Sequence, residues 1–290
     1  MQFEPILTGY YLEALGVRAD GVWFSDVAQG GIRRRAADGS IGEWWPGRRM
    51  VGGILFNEDG CVLCSGPGGI AWFDPATGAT GMLLESIAGE PIGGVNEMLP
   101  DGNGGLYFGT VDLPSILRGD KPRSAAIYRL DTGGAVTCLR EGLRFSNGMG
   151  LSPDRRTLYH NETFVGTFAY NLASDGSLGP ARPLLEKRDC DGMTVDCEGN
   201  IWITGCRSPK IVRLAPDGTV INQYAVPAEA STNVRFGGDD GQDLYLTAVA
   251  LDAVNGLVQG VLPSAPTSTL FRTRAPVAGQ QIPPTRFRLG

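Results

Sequence analysis

Leu143-Arg144-Phe145-Ser146-Asn147-Gly148-Met149-Gly150-Leu151-Ser152-Pro153-Asp154 contains an extended approach, an Asn-Gly pair, an apolar strand and a closing Ser-Pro-Asp turn. Asn-Gly tolerates positive φ and marks sharp reversals. Alone, the stretch reads as a hairpin turn. It is not alone: Gly94-Val95-Asn96-Glu97-Met98, Asp191-Gly192-Met193-Thr194-Val195-Asp196 and, less regularly, Thr232-Asn233-Val234-Arg235-Phe236 each precede a strand in a similar way. The recurrence suggests that Asn and Asp side chains are being aimed at one shared place.

Working outward, a short apolar run recurs six times, beginning at Gly21, Cys61, Gly105, Thr157, Asn200 and Asp243. The starts are 40, 44, 52, 43 and 43 residues apart. A further strand follows each copy, as in Ala126-Ile127-Tyr128-Arg129-Leu130 and Lys210-Ile211-Val212-Arg213-Leu214. Turn signals such as Asp74-Pro75-Ala76-Thr77-Gly78 close several units. A four-strand unit near this length, repeated six times, is the signature of a β-propeller. The expected fold is therefore all-β: one six-bladed β-propeller domain over residues 1–290, with a central metal site. Glu4-Pro5-Ile6-Leu7-Thr8 is expected to pair with the last blade and hide both sheet edges. Leu113–Ser124 and Ala250–Thr267 exceed the repeat and are candidate loops over one end of the channel.

Composition agrees with many short strands: 43 glycines, 19 prolines and only 19% charged residues. A net charge of −6 and the lack of a basic run argue against nucleic acid as a partner. No apolar run is long enough to cross a membrane. Met1-Gln2-Phe3-Glu4-Pro5 lacks a charged segment followed by an apolar one, so a cytoplasmic protein is expected, monomeric or a small homo-oligomer. Cys61 and Cys64 form a CxxC, but within a strand-like run and with no second pair or Cys/His cluster. Structural thiols are expected there. His160 is the sole histidine, which rules out a multi-His metal site. Its readings are a structural hydrogen-bonding residue or a channel-lining group that contacts substrate. Asp112 and Asp120 read as solvated loop carboxylates, and Trp44-Trp45 as blade packing.

In a propeller, residues at the start of each innermost strand face the channel. Glu13, Asn96, Asn147 and Asp191 hold such positions in different blades. Two carboxylates and two amides make an oxygen-only cage of the kind hard cations take. Ca²⁺ is expected first, with Zn²⁺ or Mn²⁺ as competitors.

The chain resembles the senescence marker protein/regucalcin, gluconolactonase and luciferin-regenerating-enzyme-like family. The resemblance rests on Phe145-Ser146-Asn147-Gly148-Met149 with Ser152-Pro153-Asp154, and on Asp191 through Trp202. Phe236-Gly237-Gly238 with Asp243-Leu244-Tyr245-Leu246-Thr247 adds to it. It implies that Glu13, Asn147 and Asp191 hold one divalent metal ion, that Asn96 contacts substrate, and that Asp191 is also the general base. In sugar-lactonase members an arginine near the equivalent of Asn96 contacts substrate hydroxyls. Gly94-Val95-Asn96-Glu97 carries none, which disfavours a polyhydroxylated sugar lactone and is compatible with a more apolar lactone or ester. The expected activity is metal-dependent hydrolysis of a lactone or related ester, with Asp191 activating the attacking water. An isomerase or lyase on the same site, or a metal-binding propeller without chemistry, are the alternatives.

Overall fold

The computed structural model describes residues 1–290. Six antiparallel sheets follow one another along the chain. In blade 1 the strands run, from the inside out, Leu12–Arg18, Gly21–Asp26, Ile32–Arg35 and Ile41–Trp44. The inner strands of blades 2 to 6 are Ile54–Phe56, Gly94–Pro100, Ser146–Leu151, Cys190–Val195 and Ala230–Gly237. Each inner strand packs on the next, and the sixth packs on the first, which makes the arrangement a six-bladed propeller.

The six apolar runs of the sequence are the second strands. They are buried on both faces between neighbouring blades, as in the fully buried Ile201–Gly205, so they carry nearly continuous apolar residues rather than an alternation. Outer strands such as Val220–Ala225 face water and are mostly polar or exposed.

Glu4–Gly9 pairs antiparallel with Ser268–Arg274 and supplies the outer strand of blade 6. The ring is closed by the two ends of the chain, as the sequence predicts. The C-terminal residues 275–290 cross the far end of the channel. There the Gln280 amide donates to the Val195 carbonyl, Thr285 to Phe56, and Arg286 to Gly104. Phe287 is buried with Leu55 and Leu130, which anchors this segment under blades 2 and 3.

Both long insertions join the second strand of a blade to the third. They fold into α1 (Leu113–Leu117) in blade 3 and α2 (Leu251–Val258) in blade 6. Such connections emerge where the inner strands begin. Blades 3 and 6 face each other across a ring of six, and the two helices touch. They therefore bridge the mouth of the channel.

Candidate metal centre

The inner strands do not run straight at the mouth. In blades 1, 3, 4 and 5 the register with the second strand slips between Glu13 and Gly16, Val95 and Met98, Ser146 and Met149, and Cys190 and Met193. Blade 6 slips between Ser231 and Asn233. A bulge bends its strand and re-aims a side chain. Five bulges at one level of the ring turn residues that would pack between blades toward the channel. Gly148 and Gly192 let the bulges approach: a Cβ on Gly148 would lie 2.5 Å from the Met193 amide nitrogen, and one on Gly192 would lie 2.7 Å from Asn233 Cα.

Bulged backbone loses ladder partners, and buried side chains of the second strands replace them. Asn161 Nδ2 donates to the Asp191 carbonyl at 2.8 Å and to the Gly192 carbonyl at 3.4 Å. Thr204 Oγ1 lies 3.1 Å from the Gly192 carbonyl and 2.9 Å from that of Thr232. Ser25 donates to the Val51 carbonyl, and Ser65 accepts from the Gly53 amide. All four side chains are fully buried, so these polar residues belong to the frame of the centre.

Around the centre, Asn233 Nδ2 donates to Glu13 Oε2 at 3.1 Å, and Arg235 pairs with Glu97 at 3.2 Å. Burial drives the Glu13 carboxyl up to about 7, with Glu97 nearby adding to the rise against the hydrogen bonds from Ala14 and Asn233. Burial also pushes Asp191 well above the usual carboxylate range, and the charge of Glu13 pushes it further. The nearby Asn147 amide opposes that rise, and its Nδ2 donates to Thr163 Oγ1 at 3.3 Å. Glu13 and Asp191, from blades 1 and 5, are close enough for the Glu13 charge to raise Asp191, and Asn147 of blade 4 is near Asp191. Neither Glu13 nor Asp191 has a salt-bridge partner, since Arg235 is committed to Glu97. Acidic, histidine and cysteine side chains alone form no cluster of three placed for a metal. Two carboxylates without a cationic partner, Asp191 buried and Glu13 half-buried, would suit a hard divalent ion, which would relieve their repulsion and take oxygen ligands.

Asn96 is half-buried at the same level, and its Nδ2 donates to the Ser146 carbonyl at 3.1 Å. His160 is elsewhere. It lies in a second strand, fully buried, with Nε2 2.9 Å from Ser146 Oγ. Second-strand side chains face neighbouring blades, so the ring stands behind Ser146 and does not reach the channel. Burial lowers its pKa to about 3, keeping it neutral. Asp112 also departs from the sequence reading. It is buried and accepts from Ser115 Oγ, the Arg123 backbone amide and the Arg123 guanidinium. Burial alone would raise its carboxyl, but these bonds hold it at about 2. Asp112 ties down the first insertion. All six cysteines are free, and burial pushes the Cys61 and Cys64 thiols up to about 11, away from the reactive thiolate form.

Three residues escape the sequence reading of the site: Glu97, Asn233 and Arg235. Their signal was the repeat register itself, because they occupy the same recurring stretches as Asn96 and Asp191.

A cluster of apolar side chains gathers at the end of the propeller where α1 and α2 lie, with Arg207 beside it donating to Asn255 Oδ1 of α2. Blade 1 gives Tyr11 and Val27, blade 2 Met50, blade 3 Val111, blade 4 Phe145, blade 5 Cys206, and blade 6 Ala230 and Val249. Leu113 and Ile116 of α1 and Ala253, Val254 and Leu257 of α2 pack onto this collar. Burial, with Asp191 and Glu13 close by, raises the Tyr11 pKa and keeps its phenol protonated.

The family model described as the SMP-30/gluconolactonase/LRE-like region matches residues 16–250. The chain belongs to this family. Asn147 and Asp191 lie within the matched region, and Glu13 lies just before it. The pentonolactonase XacC of Haloferax volcanii is 28% identical over 93% of this chain and 91% of its own length. The 6-deoxy-6-sulfogluconolactonase of Pseudomonas putida is 28% identical over 80% of each. Among solved structures, a luciferin-regenerating enzyme superposes with a TM-score of 0.82 at 18% identity, covering 99% of both chains. A regucalcin from Agrobacterium tumefaciens, described as calcium-binding, gives 0.78 at 21% identity, covering 98% of this chain and 96% of its own. At these identities the structures establish the fold alone.

Proposed function

We propose that this propeller is a divalent-metal-dependent lactonase, with Glu13, Asn147 and Asp191 as protein ligands. The observation that carries the proposal is a pair of carboxylates without a cationic partner, Glu13 and Asp191, each at a bulge of its inner strand. Relatives named as lactonases support the reaction class. The oxygen-only donor set favours Ca²⁺, with Zn²⁺ or Mn²⁺ as competitors. When bound, the ion would supply Lewis-acid polarisation of the lactone carbonyl.

The chain's own residues do the rest. Asp191 takes a proton from the attacking water, since its carboxylate would lie beside the bound ion. The proton then passes to the ring oxygen as the acyl C–O bond breaks, which yields the hydroxy acid. Asn96, fixed through its Nδ2 to the Ser146 carbonyl, keeps its amide oriented beside the reacting ring. Asn233 holds Glu13 through its Nδ2, and Arg235 neutralises the neighbouring Glu97. The roof of α1 and α2 excludes bulk water.

The test is chelation followed by reconstitution, with acid release followed on a panel of lactones. Activity lost on chelation and restored by one divalent ion supports the proposal. Turnover that survives complete metal removal overturns it, and an isomerised rather than hydrolysed product moves the site to a different reaction class.

A further inference from the structure

We infer that Lys187, Asp189 and Ser208 form a polar clamp that positions Asp191 for cation binding, with Lys187 as its central positioning residue. This rests on the metal-binding reading of the same centre. Asp191 and Gly192 lie in a bulge, between the Cys190–Gly205 pair on one side and the Met193–Ile203 pair on the other. After Met193 the strand stays in register to Val195. Before Cys190 the chain leaves the sheet, so that end of the bulge needs a different anchor. The clamp supplies it. Lys187 Nζ donates to Asp189 Oδ1 at 2.7 Å and to Ser208 Oγ at 2.8 Å, and Ser208 Oγ donates to Asp189 Oδ2 at 2.6 Å. The backbone closes the same junction: the Cys206 amide donates to the Asp189 carbonyl at 2.9 Å, and the Cys190 amide to the Lys187 carbonyl at 3.0 Å. The three side chains gather over Gly205, the residue paired with Cys190, where a Cβ would collide with Ser208 Oγ, Lys187 Nζ and Asp189 Oδ2. The Lys187 side chain is only 8% exposed and that of Asp189 20%, so these charge-assisted bonds are partly shielded from water. The Lys187–Ser208 contact does not make a nucleophile–base pair: the ammonium is paired with Asp189, and the hydroxyl proton goes to the same carboxylate. Lys187 acts through the backbone, by fixing Asp189 two residues before the side chain that would hold the ion.

The experiment titrates Ca²⁺ and Mn²⁺ into the chelated and dialysed protein by calorimetry, with no lactone present, and follows the ion that binds more tightly. Lys187→Met should weaken that binding about tenfold, the low end of the loss typical when a residue that orients a metal ligand is removed. Ser208→Ala keeps the Lys187–Asp189 pair and should weaken binding by a smaller factor. Arg129→Met is the control. It breaks the Arg129–Asp101 pair of blade 3, whose carboxylate is fully buried just past the far end of an inner strand. It should lower the unfolding temperature and leave cation affinity unchanged. Wild-type affinity in Lys187→Met, or an equal loss in Arg129→Met, overturns the clamp and leaves the metal-binding reading standing. Should Lys187→Met fail to fold, Ser208→Ala decides, and unchanged affinity there overturns the clamp. A wild-type protein that binds neither ion overturns both.

Discussion

Replacing Asn161 by Ala tests how the second strands hold the metal-site bulges. The side chain is fully buried. Its Nδ2 donates to the Asp191 carbonyl at 2.8 Å, and its Oδ1 accepts from Thr167 Oγ1 at 2.7 Å. The variant orphans both groups, at about 1–3 kcal/mol each, so the loss should be near ~4 kcal/mol. At about 2 °C per kcal/mol for a chain of this size, the unfolding midpoint should fall by roughly 8 °C. The Gly192 carbonyl sharpens the test, because both Asn161 and Thr204 reach it. Either single variant leaves that carbonyl one donor, whereas Asn161→Ala combined with Thr204→Val leaves none. The double variant should therefore lose about 1–3 kcal/mol more than the sum of the singles. Urea unfolding of the four proteins measures both quantities. A loss under ~1 kcal/mol for Asn161→Ala, or strict additivity, would refute the idea that second-strand side chains carry the bulged backbone.

Other perturbations address the centre itself. Asp191→Asn should abolish lactone hydrolysis; without cation it should also be more stable than wild type, because one of two repelling carboxylates is gone, and a cation titration of thermal unfolding would show that its stabilisation by metal is lost. Arg235→Met leaves Glu97 as a lone buried charge and should cost about 3–5 kcal/mol, much of it recovered in the Glu97→Gln, Arg235→Met double variant, as read by denaturant unfolding. His160 is held neutral, with its pKa lowered from 6.5 to about 3 by burial. The folded protein then binds fewer protons than the unfolded chain below pH 6.5. Stability should decline as pH falls through that value, by about 1.4 kcal/mol per unit down to the folded pKa, and His160→Gln should remove that part of the slope.

The fold was legible because second strands buried on both faces must be apolar, and they recur at blade spacing. Blade closure was legible for the same reason: an N-terminal strand without a partner needs an edge. Asn147 and Asp191 were legible because their bulges require a following glycine, which makes Asn-Gly and Asp-Gly visible. Glu13 lacks that glycine and bulges through Ala14, which takes φ 54°, so only its place at a strand start and the family resemblance pointed to it. Glu97 and Arg235 were hidden because their pairing joins blades 138 residues apart in sequence. His160 kept two readings because a strand sequence does not say which neighbour its side chain faces; its burial against Ser146 fits the structural one. Asp112 was misread because its partners, Ser115 and Arg123, depend on how the insertion folds. The C-terminal seal carries no periodic pattern; it is recognisable only from the backbone hydrogen bonds it makes under the channel.

Anomalous diffraction from crystals grown with Mn²⁺ or Ca²⁺ tests the central claim most directly. The account predicts one anomalous peak on the propeller axis, within about 2.0–2.6 Å of oxygen atoms from Glu13, Asn147 and Asp191 together. A fully refined structure with no peak there at saturating cation, or with the ion bound elsewhere and these three side chains apart, would contradict it.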